Sequence, residues 1–271
     1  MPVIARIAVQ KRNQHRFNVY INGPQGEEYA FSISEDQLVK HALKKGQEID
    51  HERLASILYE EDVEKSYHQA LNYLSYRMRS VLEVRQYLSE KEVPEDIIDK
   101  IIKRLQTNNY LNDKEFAEAF VKTKIKTSDH GPNSIKRSLA EKGIRSEIIE
   151  DSSLLYDEDT AYQNAMRLAK KYAEKKKHAS KKELQQLIHV YLSRKGYKIA
   201  TIHQVVTELF TTIVDRDNEA ITVQGDKAWR KYGALQSKEQ EIKVKQFLFR
   251  KGFSFEVIEE YIRNKRDSAK D

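Results

Sequence analysis

The chain has 271 residues, 33% charged and 39% apolar, and its 48 lysines and arginines against 42 acids leave a net charge of +6. It contains no cysteine, which excludes a disulfide framework, thiolate metal ligands and a cysteine nucleophile. No stretch approaches 18 apolar residues, and no basic segment leads into an apolar core at the N-terminus. The expectation is therefore a cytoplasmic protein with neither membrane span nor secretory signal.

In chain order, residues 3–33 predict strands. Val3, Ala5, Ile7 and Val9 alternate with polar or outward neighbours, as do Phe17, Val19 and Ile21, and then Tyr29, Phe31 and Ile33. Turn residues at 11–14 and 22–26 make this a three-stranded antiparallel meander with one face to bury. Ser34 stands three residues before Gln37, a capping-box pattern, and predicts a helix that stops near Gly46. Asp50 is placed to cap the next helix.

From about residue 61 the apolar period changes from 2 to 3.6. Four segments then align: 84–93, 135–144, 188–197 and 244–253. Their central leucines are Leu88, Leu139, Leu192 and Leu248, spaced 51, 53 and 56 residues apart. Each segment follows a helix that carries Tyr73/Tyr76, Phe116/Phe120, Leu168/Tyr172 or Trp229/Tyr232. Each precedes another with an apolar pair: Ile97/Ile98, Ile148/Ile149, Val205/Val206 or Val257/Ile258.

Ser80/Glu83, Ser180/Glu183 and Ser237/Gln240 predict capping boxes at the start of the middle helices, and Gly131-Pro132 replaces the box in the second copy. Gly143, Gly196 and Gly252 predict left-handed stops, while Pro94 opens the third helix of the first copy. The fold class is mainly α: an elongated array of tandem three-helix repeats behind a small β-rich segment. The domains expected are 1–60, 61–110, 111–156, 157–214 and 215–271, because a single unit of about 50 residues has a marginal core and gains from sharing faces with its neighbours.

No catalytic constellation is visible. The 8 histidines (15, 41, 51, 68, 130, 178, 189 and 203) never form an H-x-x-x-H pair, and no glycine-rich phosphate loop or nucleophile elbow occurs. Neither an enzyme, nor a metal, nor a cofactor is expected. Adjacent acids such as Glu27-Glu28, Glu60-Glu61 and Glu259-Glu260 diverge by about 100° on a helix and read as solvated charge.

The charge is local. Residues 165–200 hold eleven cations and two acids, so that one stretch exceeds the whole net charge. Lys170, Lys171, Lys175, Lys176, Lys177, Lys181 and Lys182 repel one another on a helical surface, and a polyanion would relieve that repulsion. Arg194 and Lys195, ahead of Gly196, complement a helix dipole and could also meet phosphate. Tyr172, Tyr191 and Tyr197 lie near the patch, at core spacing first and as stacking surfaces second.

Three motifs are familiar. Tyr76-Arg77-Met78-Arg79-Ser80-Val81-x-Glu83-Val84, Asn109-Tyr110-Leu111-Asn112-Asp113-x-x-Phe116-Ala117, and Gly131-Pro132-x-x-Ile135-x-x-x-Leu139-x-x-Lys142-Gly143-Ile144 resemble the RecX family, bacterial regulators of the RecA recombinase. The resemblance covers about residues 70–265, and the N-terminal strands with a fourth copy look like the longer Gram-positive form. Asn112-Asp113 departs from the Asp-Asp often found there, and either residue can cap a helix.

The resemblance implies a non-enzymatic regulator in DNA repair, recombination and the SOS response. It would bind along the RecA–DNA filament and limit its ATPase, coprotease and strand-exchange activities. The partners expected are RecA and single- or double-stranded DNA, met by a monomer with no membrane attachment. The contact residues expected are Arg77, Arg79, Arg85, Lys136, Arg137, the lysines of 170–182, Arg194 and Lys195. The alternative is a free-standing protein that binds the DNA backbone without a recombinase.

Overall fold

The computed structural model describes residues 2–213 and 216–267 and divides into two compact units, 1–116 and 117–271. The expected boundary at 214/215 lies outside the described residues.

In the first unit, β1 (Ile4–Gln10), β2 (Asn13–Gly23) and β3 (Gly26–Ser34) form an antiparallel sheet in chain order. Val19 on the central strand stands opposite Ile7 on one side and Phe31 on the other. The turns are tighter than the sequence suggests. Gly23 pairs with Gly26, so residues 22, 23 and 26 belong to strands. Ile4, Val19, Phe31 and Ile33 form one buried cluster with Leu43, Ile49 and Ile57.

Helix α1 (Glu35–Lys40) starts where Ser34 accepts a hydrogen bond from the Gln37 amide. It ends at His41, short of the expected stop near Gly46, because Ala42 turns into the left-handed region at φ 48°. Helix α2 (His51–Ser75) is capped by Asp50, which accepts from the Arg53 amide at 2.7 Å. It runs unbroken across residue 60, giving Ile57 to the sheet core, and Tyr67 and Ala70 to the next cluster.

The reading of Glu60-Glu61 as solvated charge fails on α2. Glu61 is buried, paired with Arg16 at 2.7 Å and accepting from the Ser34 amide and hydroxyl. Its neighbour Glu60 is bound by Lys40 and His41. Tyr76, which the sequence pairs with Tyr73 on this helix, caps its C-terminal end and is 85% exposed.

The rest of the chain repeats a three-helix unit. Helices α3 (Val81–Ser89) and α4 (Glu95–Thr107) complete the first bundle with α2. The second has α5 (Asp113–Thr127), α6 (Pro132–Glu141) and α7 (Ser146–Ser153), and the third α8 (Glu158–Lys175), α9 (Lys181–Lys195) and α10 (Ile199–Thr212). The fourth has α11 (Arg216–Lys231), α12 (Ser237–Arg250) and α13 (Phe255–Asp267). Leu88, Leu139, Leu192 and Leu248 are all fully buried, so core packing accounts for that position.

The caps vary with what lies next to them. Ser80 and Glu83 form the complete reciprocal box. Ser180 accepts from the Glu183 amide, but the Glu183 carboxylate turns to Lys251 of the next copy. The expected Ser237/Gln240 box does not form: Ser237 is already helical, and Gln240 donates instead to the Trp229 carbonyl. Gly143, Gly196 and Gly252 all have positive φ as expected, and in the first copy Glu92 takes that conformation at 60°.

Adjacent copies share their helix ends. Within the first unit, Asp113 at the start of α5 accepts from the Val81 amide at 2.8 Å. In the second unit, Asp217 does the same for Lys181 at 2.6 Å. The equivalent residue of α6 is Pro132, which has no N–H to satisfy. The Gly131 amide donates to the Lys195 carbonyl at 2.7 Å and Asn133 to that of Gly196, while Ser180 Oγ donates to the Lys251 carbonyl at 2.6 Å.

Candidate functional site

The cations divide by what already holds them. The residue three before the central leucine pairs with a carboxylate 14 residues on: Arg85 with Asp99 at 2.6 Å, Lys136 with Glu150 at 2.5 Å, and Lys245 with Glu259. Arg85 also meets Glu95, and hydrogen bonding to Asp99 leads the effects that raise its pKa. Arg77 is likewise paired, with Glu83 at 3.0 Å. These three expected contact residues, Arg77, Arg85 and Lys136, therefore bind the middle helix within its own copy.

The third copy breaks this pattern. His189 and His203 occupy the two ion-pair positions, and they line an open groove of 460 Å³ with Gln185, Gln186, Val190, Val206 and Thr207. Neither position supplies a carboxylate to absorb a cation.

A second set of cations rests on aromatic rings. In the first copy Tyr73 and Tyr87 stack at 4.0 Å and 4°. The Arg79 guanidinium lies 4.1 Å from the Tyr73 ring centre, and Lys91 lies 5.9 Å from that of Tyr87. In the third, Tyr172 and Tyr191 stack at 4.5 Å and 12°, with Lys176 and Lys195 at 5.9 and 5.8 Å. Burial, ahead of the nearby Asp129 carboxylate, raises the Tyr191 pKa and keeps its hydroxyl neutral. The second copy has Lys124 and Lys142 over Phe120, and Ser138 where the other two have a tyrosine.

The third set is the lysine-rich end of α8. Lys170, Lys171, Lys175, Lys176, Lys177 and Lys182 are exposed, Lys181 is half-buried, and among the described residues none of their side chains forms an ion pair. Arg137 and Arg194 are also exposed and form no ion pair among the described residues. The α8 terminus is fixed by Arg216, whose guanidinium donates to the carbonyls of Ala173, Lys176 and Ala179. Burial lowers the Arg216 pKa, against the opposing effect of Asp217 and Glu219. A cation that satisfies helix-end carbonyls leaves the lysine ammoniums free for an external anion.

Sequence reasoning missed Arg216, Asp217 and Lys91. The clearest available signal was for Lys91: aligned on the leucine, Lys91, Lys142, Lys195 and Lys251 are the same residue in all four copies. Among the described residues no group of three or more histidine or acidic side chains is placed to hold a metal, and no helix is long and apolar enough to cross a membrane.

Consecutive three-helix bundles behind a small antiparallel sheet, with cations concentrated on one copy, define a tandem helical-repeat protein with a localised basic surface. Family models described as the RecX regulatory protein N-terminal domain and the first, second and third RecX three-helix domains match residues 2–50, 67–105, 112–152 and 215–262. The chain is 42% identical to the regulatory protein RecX of Bacillus pumilus strain SAFR-032 over 260 residues, 96% of this chain and 97% of that one. It is 41% identical to that of Bacillus cereus strain 03BB102 over 273 residues, 99% and 100% of the two.

A crystal structure of regulatory protein RecX superposes with a TM-score of 0.65 at 29% identity, covering 76% of this chain and 98% of that one. RecX from Lactobacillus salivarius superposes at 0.53 and 38% identity, covering 55% and 97%. The chain belongs to the RecX family of regulatory proteins.

Proposed function

We propose that this protein regulates the RecA recombinase, chiefly as an inhibitor. It binds along the RecA–DNA filament and limits its recombinase, ATPase and coprotease activities, without catalytic chemistry of its own. The segments read from the sequence, 1–60 and the four repeats ending at 110, 156, 214 and 271, act together, with α2 common to the first two, and the protein acts as a cytoplasmic monomer.

The observation that carries this reading is the exposed lysine face of 170–182, whose ammoniums have no carboxylate partner among the described residues. Such a face lowers its self-repulsion by meeting a polyanion, and a nucleoprotein filament supplies one. Arg137 and Arg194 extend the set of unpaired cations. Arg77, Arg85 and Lys136 contribute less, since binding would first have to break ion pairs they already make.

The test is the rate of ATP hydrolysis by RecA on single-stranded DNA with increasing amounts of the protein, beside a gel shift on DNA without RecA. Inhibition at concentrations where naked DNA is barely shifted supports the proposal. Tight, salt-sensitive DNA binding with no effect on RecA would instead make it a free-standing DNA-binding protein.

A further inference from the structure

Four of the cations that lie on tyrosine faces flank the two stacked tyrosine pairs, Tyr73/Tyr87 and Tyr172/Tyr191. Arg79, Lys91, Lys176 and Lys195 form no ion pair among the described residues. Arg79 also lacks any hydrogen-bond acceptor there, and its Nε is buried without a partner. A cation shielded from water on one side and without an acceptor favours an incoming anion at its open nitrogens. Its charged end already lies over a ring, so less side-chain freedom is lost when that anion binds.

The repeat itself separates this role from a merely structural one. A helix dipole favours any cation in the last turn, arginine as well as lysine. Yet position 91 and its equivalents hold lysine four times, and in three copies the ammonium sits over an aromatic ring. In the fourth copy Lys251 is instead tied to Glu183 at 2.9 Å. The second copy has only half the column, because Ser138 replaces the second tyrosine.

We propose that the first and third copies each carry a seat for single-stranded nucleic acid, formed by the stacked tyrosine pair and its two flanking cations. Phosphates meet Arg79 and Lys91 in one copy, and Lys176 and Lys195 in the other. A base stacks beside the first seat on Tyr76, which is 85% exposed and lies three residues from Tyr73. Aromatic surface interleaved with unpaired cations favours single strands, whose base faces are open, over a duplex that hides them. An acidic protein surface would need the cations but not the exposed ring.

This inference deepens the filament reading by giving the protein its own contact with the nucleic acid, and rests on that reading only for its setting. The test is fluorescence polarisation of a labelled oligothymidylate with the full chain and no RecA, across a salt series. Removing both lysines, Lys91→Ala with Lys195→Ala, should weaken binding and reduce the slope of log affinity against log salt by about 0.7 per lysine. Tyr76→Ala should lower affinity by about 5- to 150-fold, corresponding to one stacked base, with the slope unchanged. Arg85→Ala, which removes a cation already paired, should change neither.

Unchanged affinity and slope in the double lysine variant would overturn the proposal, circular dichroism having shown that the variant is folded. If that variant keeps oligonucleotide binding but loses RecA inhibition, the seats take an acidic protein surface and the nucleic-acid assignment fails. If the wild type binds through these lysines but never inhibits RecA, the filament reading fails and the seats stand.

Discussion

Gly131, at the head of α6, lies so close to Gly196, at the end of α9, that a β-carbon on Gly131 would stand 2.6 Å from the Gly196 carbonyl. The approach is reciprocal: a β-carbon on Gly196 would stand 2.5 Å from the Ser134 amide nitrogen. The second and third copies therefore meet backbone to backbone, held by the hydrogen bonds from Gly131 and Asn133.

Gly196→Ala should destabilise the protein by about 2 kcal/mol or more, from left-handed strain at φ 86° together with overpacking. Gly46→Ala is the control. Its φ is 82° but nothing lies within 4 Å of the added carbon, so only the strain of about 1–2 kcal/mol remains. Urea denaturation of both variants measures the difference. Equal losses would mean that the close approach contributes nothing.

Asp217→Ala removes the side chain that accepts from the Lys181 amide across two copies. The expected loss is about 1 kcal/mol, as for other helix caps. Faster amide hydrogen exchange at the start of α9 should accompany it, with the exchange of α12 and α13 little changed.

Glu61→Ala should cost about 3 kcal/mol, because it leaves Arg16 and the Ser34 amide without their buried acceptor. Glu61→Gln keeps an oxygen for Ser34 and should recover part of that loss. Thermal melts of the two variants decide it: if alanine and glutamine melt like the wild type, the pair is not structural.

The third copy can be given the ion pair that its relatives carry. His189→Arg with His203→Glu should raise stability by at most about 1 kcal/mol, since the equivalent pairs are partly exposed. RecA inhibition should be unaffected, because neither histidine belongs to the lysine face. A double-mutant cycle by denaturation measures the coupling.

What could be read in the sequence was whatever a local window encodes. The glycine stops, the Ser80/Glu83 box and the buried leucines follow from spacing along one helix, and all appear where that spacing puts them. The touching of Gly131 and Gly196 does not, because it depends on which helix ends two separate copies bring together. Glu61 was misread for the same reason. Beside Glu60 it looks like surface charge, and only the sheet's placement of Arg16 and Ser34 makes it a buried acceptor.

The candidate contacts show the same limit. The lysines of 170–182 were evident from charge density alone. That Arg85 and Lys136 already have carboxylate partners depends on the pairing of two helices across residues 14 apart, and the tyrosine seats of Arg79 and Lys91 require α2, α3 and the turns that follow them to converge.

The central claim is that the lysine face of the third copy engages the recombinase filament. Lys175→Glu, Lys176→Glu and Lys177→Glu combined reverse three exposed charges at the end of α8 without touching the Arg216 side chain that caps it. Inhibition of RecA-catalysed ATP hydrolysis by this variant, measured across a salt series, is the direct test. The account predicts inhibition weakened by about tenfold or more with a flattened salt dependence; wild-type inhibition by the folded variant at physiological salt would contradict it.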